Sequence, residues 1–209
     1  MKKFKLFLSL AKEEEWINSI QEEGYKLVAI NTFFHIYTFK RLCDKEHYIP
    51  YVRLDFREKS MRKDIYDEYL TLFSDSGWDL IKGSRFGGVQ YFQQERSDVT
   101  RDIFSDVDSK ENVRKRYAKF SCSYGFLFIF YSYISIKNMS GLGNNLLNFK
   151  TWYLTPNLWN LKGFSFLFSF LFETPFVFLR IFLPFSFLFL GVYYLMRSIV
   201  NGRETSIIR

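Results

Sequence analysis

Hydrophobic and polar positions change character partway along the 209-residue chain. Up to about residue 95 they alternate in short runs with the periods of strands and helices, whereas beyond residue 119 long stretches carry almost no charge. The first of these, residues 120–136, has no charged residue; it is entered from Arg114, Lys115, Arg116 and Lys119 and closed by Lys137. This predicts a first membrane span. It is slightly short of the roughly 20 residues that cross about 30 Å of hydrocarbon, and Tyr117 and Ala118 extend it if Lys119 snorkels to the headgroups.

In the polar part, residues 5–9 read as a strand. A helix follows to about residue 23, starting near Ser9 or Lys12 with Glu13, Glu14 and Glu15 in its first turn, where the dipole favours acid. Trp16, Ile17 and Ile20 share one face, and Gly24 is the expected left-handed stop. Two aromatic and β-branched runs, 25–31 and 33–40, are close enough to form only a hairpin. A third run, 51–57, sets Val52, Leu54 and Phe56 against Arg53 and Asp55, predicting one buried and one wet face. A second helix over 61–73 gathers Ile65, Tyr69, Leu72 and Phe73. Beyond Gly77, residues 78–82 and 88–94 form a second hairpin.

Trp16-Ile-Asn-Ser-Ile-Gln-Glu-Glu-Gly-Tyr and Tyr69-Leu-Thr-Leu-Phe-Ser-Asp-Ser-Gly-Trp align without a gap. Gly24 matches Gly77, Tyr25 matches Trp78, Leu27 matches Leu80 and Phe39 matches Phe92, all at an offset of 53 residues. The unit is strand, helix, hairpin. Two copies, about 1–48 and 49–95, make a duplicated βαββ domain of the α+β class over residues 1–109, helices on one face of a mostly antiparallel sheet. The aromatics Trp16, Tyr25, Tyr37, Trp78 and Tyr91 either line a groove between the copies or supply core, and burial is the commoner role.

After the first span, residues 137–180 read as an external loop followed by a Phe-rich interfacial helix. Trp152, Tyr153 and Trp159 suit an interface-hugging segment. Pro175 and Pro184 are expected breaks, residues 181–200 a second span, and 201–209 a cytoplasmic tail. A three-span arrangement competes, but Arg197, Arg203 and Arg209 favour a cytoplasmic end. The soluble domain thus precedes an α-helical membrane hairpin. Glu173 and Arg180 are the candidate functional residues of this half, since ionisable groups at membrane depth carry function by default; an interfacial position beside the prolines is the plainer alternative.

Charge sharpens the picture. The chain is +7 overall, yet residues 1–109 hold 17 Lys/Arg against 19 Asp/Glu. The excess sits in the basic segment 110–119 and beyond, where cytoplasmic membrane flanks are basic, so Arg114, Lys115, Arg116 and Lys119 are expected to contact lipid and place the N-terminal domain in the cytoplasm. A nucleic-acid-binding face has little support. Cys43 and Cys122 fall in different segments and predict no disulfide. The apolar start is too short and too interrupted by Lys5 for a signal peptide. His35 and His47 lack ligand-spaced companions for zinc. Asp106-Val-Asp108 lacks the closing residues of a calcium loop and reads as a helix cap. Gly141 and Gly143 follow no strand, so they are no phosphate loop, and Asn138-Met139-Ser140 is formally a glycosylation sequon. No nucleophile or phosphate motif occurs. No cofactor or metal and no enzymatic activity are therefore expected.

Several stretches together resemble a known family: Glu13-Glu-Glu-Trp16, Glu22-Glu-Gly-Tyr25, Tyr51-Val-Arg-Leu-Asp-Phe56, Ser76-Gly-Trp78, Val89-Gln-Tyr-Phe92 and Ile103-Phe-Ser-Asp-Val-Asp-Ser-Lys110. The resemblance, over most of residues 1–119, is to the domain of unknown function 2812. It implies a bacterial membrane protein, common in Gram-positive organisms and often encoded beside a PadR-type regulator, with no catalytic residue to carry over. That association favours a regulated envelope response. The expected function is a membrane-anchored regulatory or accessory protein whose cytoplasmic domain binds a protein partner or small ligand. A small transporter subunit or resistance factor acting through the membrane hairpin is the alternative.

Overall fold

A computed structural model describes residues 1–42, 48–96, 107–138 and 148–207. Cys43, His47, Asp106, Gly141, Gly143, the Met139-Ser140 part of the sequon and residues 103–106 of the family motif lie outside them. The elements run β1 (Lys2–Phe4), α1 (Leu10–Glu22), β2 (Tyr25–Asn31), β3 (Ile36–Arg41), β4 (Val52–Arg57), α2 (Lys63–Asp75), β5 (Trp78–Lys82), β6 (Gly88–Gln94), α3 (Val107–Asn138) and α4 (Gly163–Ile207). Two 3-10 turns, Phe149–Trp152 and Leu158–Asn160, precede α4. The chain divides into two compact units: Met1–Ser121 with Met196–Arg209, and Cys122–Leu195.

The first unit is α+β, with two three-stranded antiparallel sheets of order β1-β3-β2 and β4-β6-β5. Ser9 caps α1, its hydroxyl accepting from the Lys12 amide at 3.2 Å. Leu10, Ile17 and Ile20 then fall on the buried stripe. They pack with Leu27, Ile30, Tyr37, Phe39, Val52, Leu54, Phe56, Tyr91, Val113 and Tyr117 in one core. The outer edge of β4 is covered by α1: Asn18 exchanges two hydrogen bonds with the Val52 backbone, and Glu14 accepts from the Leu54 amide at 3.0 Å. An exposed strand edge is thereby satisfied.

The two sheets match in detail at the 53-residue offset. Gly24 and Gly77 both end a helix with positive φ, +87° and +82°. Leu27 pairs with Phe39 as Leu80 pairs with Phe92, and each pairing is followed by a register shift. The Leu42 amide bonds the Gly24 carbonyl as the Glu95 amide bonds that of Gly77.

Four local expectations are corrected. The N-terminal strand is Lys2–Phe4, not residues 5–9, because β1 is the part that pairs with β3. The first hairpin's second strand begins at Ile36, since Phe33 and Phe34 lie in the turn and His35 adopts φ +51°. On α2, Ile65 and Leu72 are exposed: the fuller i, i+3, i+4, i+7 set is Tyr66, Tyr69, Leu70 and Phe73, and that face meets Trp78 and Phe92. Asp55, assigned to the wet face of β4, is 2% exposed.

In the second unit α3 and α4 approach at glycines. A Cβ on Gly191 would lie 2.6 Å from Ile129 Cγ1 and 3.1 Å from the Gly125 carbonyl, and one on Gly125 would lie 2.7 Å from Leu195. Ser132 Oγ donates to the Pro184 carbonyl at 2.8 Å. The expected breaks at Pro175 and Pro184 are absent: both prolines lie inside one 45-residue helix. Beside Pro175 the Thr174 hydroxyl donates back to the Phe170 carbonyl at 2.6 Å, a side-chain to backbone bond within the helix. Among the described residues one helix, Gly163–Glu204, is long and apolar enough to cross a membrane, by length and composition. In α3, Ser121, Ser123, Ser132 and Ser135 together with three tyrosines dilute the apolar run.

Candidate functional site

The α1 stripe that buries Leu10 and Ile17 also carries Glu13 inward, three residues after the first and four before the second. Its carboxylate is 4% exposed and accepts from Tyr37 Oη at 2.7 Å and Tyr91 Oη at 2.6 Å. Tyr37 stands on β3 and Tyr91 on β6, so one carboxylate is held by both sheets. Burial pushes the Glu13 carboxyl up from its ordinary value, and the two hydroxyls and the charge of Arg197 act in the opposite direction without cancelling it. Burial and the adjacent Glu13 push the Tyr91 hydroxyl well above its ordinary value, so it stays a donor.

Arg197 comes from α4, and its guanidinium lies over the Tyr117 ring at 4.2 Å. One turn on, Asn201 is fully buried. Its amide donates to the Leu8 carbonyl at 2.7 Å, and its oxygen accepts from the Leu10 amide at 3.2 Å. Glu204 then accepts from the Ser9 hydroxyl at 2.7 Å. The last turns of α4 are therefore part of the α+β unit, locked onto the start of α1 by polar side chains (Fully buried polar groups hold only when partnered in this way).

A second cluster gathers at Asp55. Its carboxylate accepts from Tyr69 Oη at 2.7 Å and Arg116 at 3.3 Å and forms an ion pair with Arg57 at 3.2 Å, joining β4, α2 and α3. Burial first, then Asp55, pushes the Tyr69 hydroxyl up, so it too remains a donor. Together with Leu72, Phe73, Ser109 and Asn112 these groups line a surface recess of about 240 Å³.

In the second unit Glu173 is 7% exposed and committed to its own loop, accepting from the amides of Leu154 and Thr155 and from the Thr155 hydroxyl. Arg180 donates to the Trp152 carbonyl at 2.9 Å. The two residues singled out in the sequence thus come together on one turn, residues 152–155. Tyr153 stacks on Phe170 at 5.1 Å, and Trp159 closes edge-on against both.

Of the aromatic set, Tyr37, Trp78 and Tyr91 are buried, while Trp16 and Tyr25 are partly buried against the core. Trp16 packs edge-on against Tyr37 at 5.1 Å and Phe39 at 5.9 Å. In the basic segment Arg116 is drawn onto Asp55 and Lys115 pairs with Glu111 at 2.5 Å, whereas Arg114 is partly buried and Lys119 exposed. Glu13 and Asp55 were the residues missed as site members. Glu13 could have been found from its place on the apolar stripe of α1; nothing in the period-two pattern of β4 marks Asp55.

No curated protein and no solved structure matches the chain. Residues 9–126, from the α1 cap into α3, match the family described as Protein of unknown function (DUF2812), and the chain belongs to that family.

Proposed function

We propose that this is a non-enzymatic, membrane-anchored regulatory or accessory protein whose α+β unit binds a protein partner or small polar ligand. The observation that carries the reading is the seating of the α4 end in the α+β unit through Arg197, Asn201 and Glu204. The helix able to cross a membrane also completes the polar core of the α+β unit, so a ligand that reorganises the unit acts directly on that helix. The recess around Asp55, Tyr69 and Arg116 offers mixed charge and an apolar rim for such a ligand.

In this reading α3 is a second span, the chain is multi-pass, and the N-terminal unit faces the cytoplasm, as the basic segment before α3 favours. The matched glycines, pairings and register shifts of the two sheets support a duplicated βαββ ancestor. The transporter or resistance alternative gains nothing from Glu173, whose oxygens are taken by its own loop.

The test is purification of the full chain in mild detergent from its own membrane, beside a Asp55→Asn, Arg116→Gln variant. Expected is a reproducible partner or small-molecule ligand retained by the parent chain and lost from the variant. Absence of any reproducible companion, or equal retention by the variant, overturns the proposal.

A further inference from the structure

The turn joining β2 to β3 does not bury its aromatic residues. Phe33 is 83% exposed and Phe34 is exposed, and their rings stand edge to face at 4.9 Å. The turn is fixed: Asn31 Oδ1 accepts from the amides of both Phe33 and Phe34, at 3.1 and 3.0 Å, and the Lys5 amide bonds the His35 carbonyl at 3.2 Å. The same end of the sheet exposes Phe4, paired with Ile36, and Leu6. Ordering these rings in water gains nothing for the fold, so a rigid turn that presents them is prepared for an apolar surface.

Contacts within the unit say where this end lies along α4. Ser9 bonds Glu204, and Leu8 and Leu10 bond Asn201. Toward the turn, the Lys5 amide bonds the His35 carbonyl, and Lys5 to Ser9 line one recess with Val200. Passing from Ser9 toward the turn therefore means passing back along α4 from Glu204 toward Val200, and this part of α4 begins at Met196. The residues preceding Met196 are the apolar run, with Phe189, Val192 and Met196 itself exposed. Within the unit, the exposed aromatics lie toward its Met196 end rather than its Glu204 end. Lys2 and Lys5, both exposed, flank them with positive charge.

We propose that Phe33 and Phe34, with Phe4 and Leu6, form a lip that inserts into the headgroup layer of an anionic phospholipid bilayer. Aromatic rings favour that layer, and lysines near it add attraction to anionic headgroups. The lip is a second attachment, separate from the helical anchor, and sets the tilt of the unit against the bilayer. This inference rests on the membrane-anchored reading of α4.

The experiment uses the full chain with Cys43→Ser and Cys122→Ser, labelled with an environment-sensitive fluorophore through Phe33→Cys or, separately, Phe86→Cys. Phe86 is an exposed aromatic in the corresponding turn of the second sheet. The protein is reconstituted in vesicles of phosphatidylglycerol and phosphatidylethanolamine, with spin-labelled lipid as quencher, and in phosphatidylcholine vesicles for comparison. Expected are blue-shifted emission and at least twofold stronger quenching at position 33 than at 86, reduced in phosphatidylcholine. Equal quenching at the two positions overturns the lip, and equal quenching in the two vesicle types overturns its preference for anionic lipid. An alkaline carbonate wash separates the two readings. Release of the chain refutes the anchor, whereas a retained chain with a water-exposed probe at 33 refutes the lip alone.

Discussion

Glu13 sits where a leucine would be expected, and its physics gives the clearest residue-level consequence. Its folded-state pKa is raised, so the folded chain holds this proton more tightly than the unfolded chain does. Its contribution is most favourable below the ordinary carboxylate range, about pH 4.3, and is lost as pH rises through that range toward the raised folded value. Glu13→Gln retains a carbonyl oxygen for Tyr37 and Tyr91 but cannot ionise. The expected outcome is that the mildly acidic part of the melting-temperature profile flattens and that the variant gains relative to the parent chain as pH increases, read by thermal unfolding of the detergent-solubilised chain. This residue shows why site members are harder to read than core. The face of Trp16, Ile17 and Ile20 was legible by its period, but a carboxylate inside three consecutive glutamates looks like a dipole-matched first turn. Only the arrival of two hydroxyls from separate sheets makes its burial tolerable, and such long-range partners leave no local mark.

Elements were more legible than residues because their signals are local. β5 and β6 fall on the expected 78–82 and 88–94, and Gly24 and Gly77 mark helix ends by the one conformation they can adopt cheaply. Less legible were elements whose ends depend on pairing, such as β1, and a helix that keeps two prolines where water-soluble helices would break. The α3–α4 contact was invisible in sequence because Gly125 and Gly191 lie 66 positions apart in otherwise unremarkable apolar runs. It carries a prediction. Gly191→Ala gains up to about 1 kcal/mol in helix propensity, but its Cβ meets the Ile129 side chain at 2.6 Å and backbone at 3.0 and 3.1 Å. Overpacking of this kind costs about 1–3 kcal/mol. The variant should lower the denaturing-detergent midpoint of the hairpin, and Ile129→Ala in the same chain should recover part of the loss by removing the nearest atom. An unchanged midpoint in Gly191→Ala would show that the helices are not packed at these glycines.

At the scale of the whole molecule, the family match ends at residue 126, yet the α+β unit also includes residues from Met196 onward. The division read from the sequence, a soluble domain and then a membrane part, gave residues 181–200 to a second span and 201–209 to a cytoplasmic tail, since nothing in the sequence indicates that Asn201 reaches back to residues 8 and 10. The structure makes the unit discontinuous: the start of α1 gains the Asn201 amide and oxygen and the Glu204 carboxylate, and Tyr117 gains the Arg197 guanidinium. Removing α4 would strip these partners from buried backbone groups, at about 1–3 kcal/mol for each group left unsatisfied. A fragment of residues 1–121 alone should therefore unfold at lower denaturant than one in which a flexible linker joins residue 121 to residues 196–207. Joining the segment makes its docking intramolecular, so the gain should be present at any protein concentration. Asn201→Ala in the linked fragment should return most of that gain, measured by urea titration with circular dichroism. If the two fragments share one midpoint, the α4 end contributes nothing to the unit, and the route by which its ligand would act on the membrane helix is lost with it.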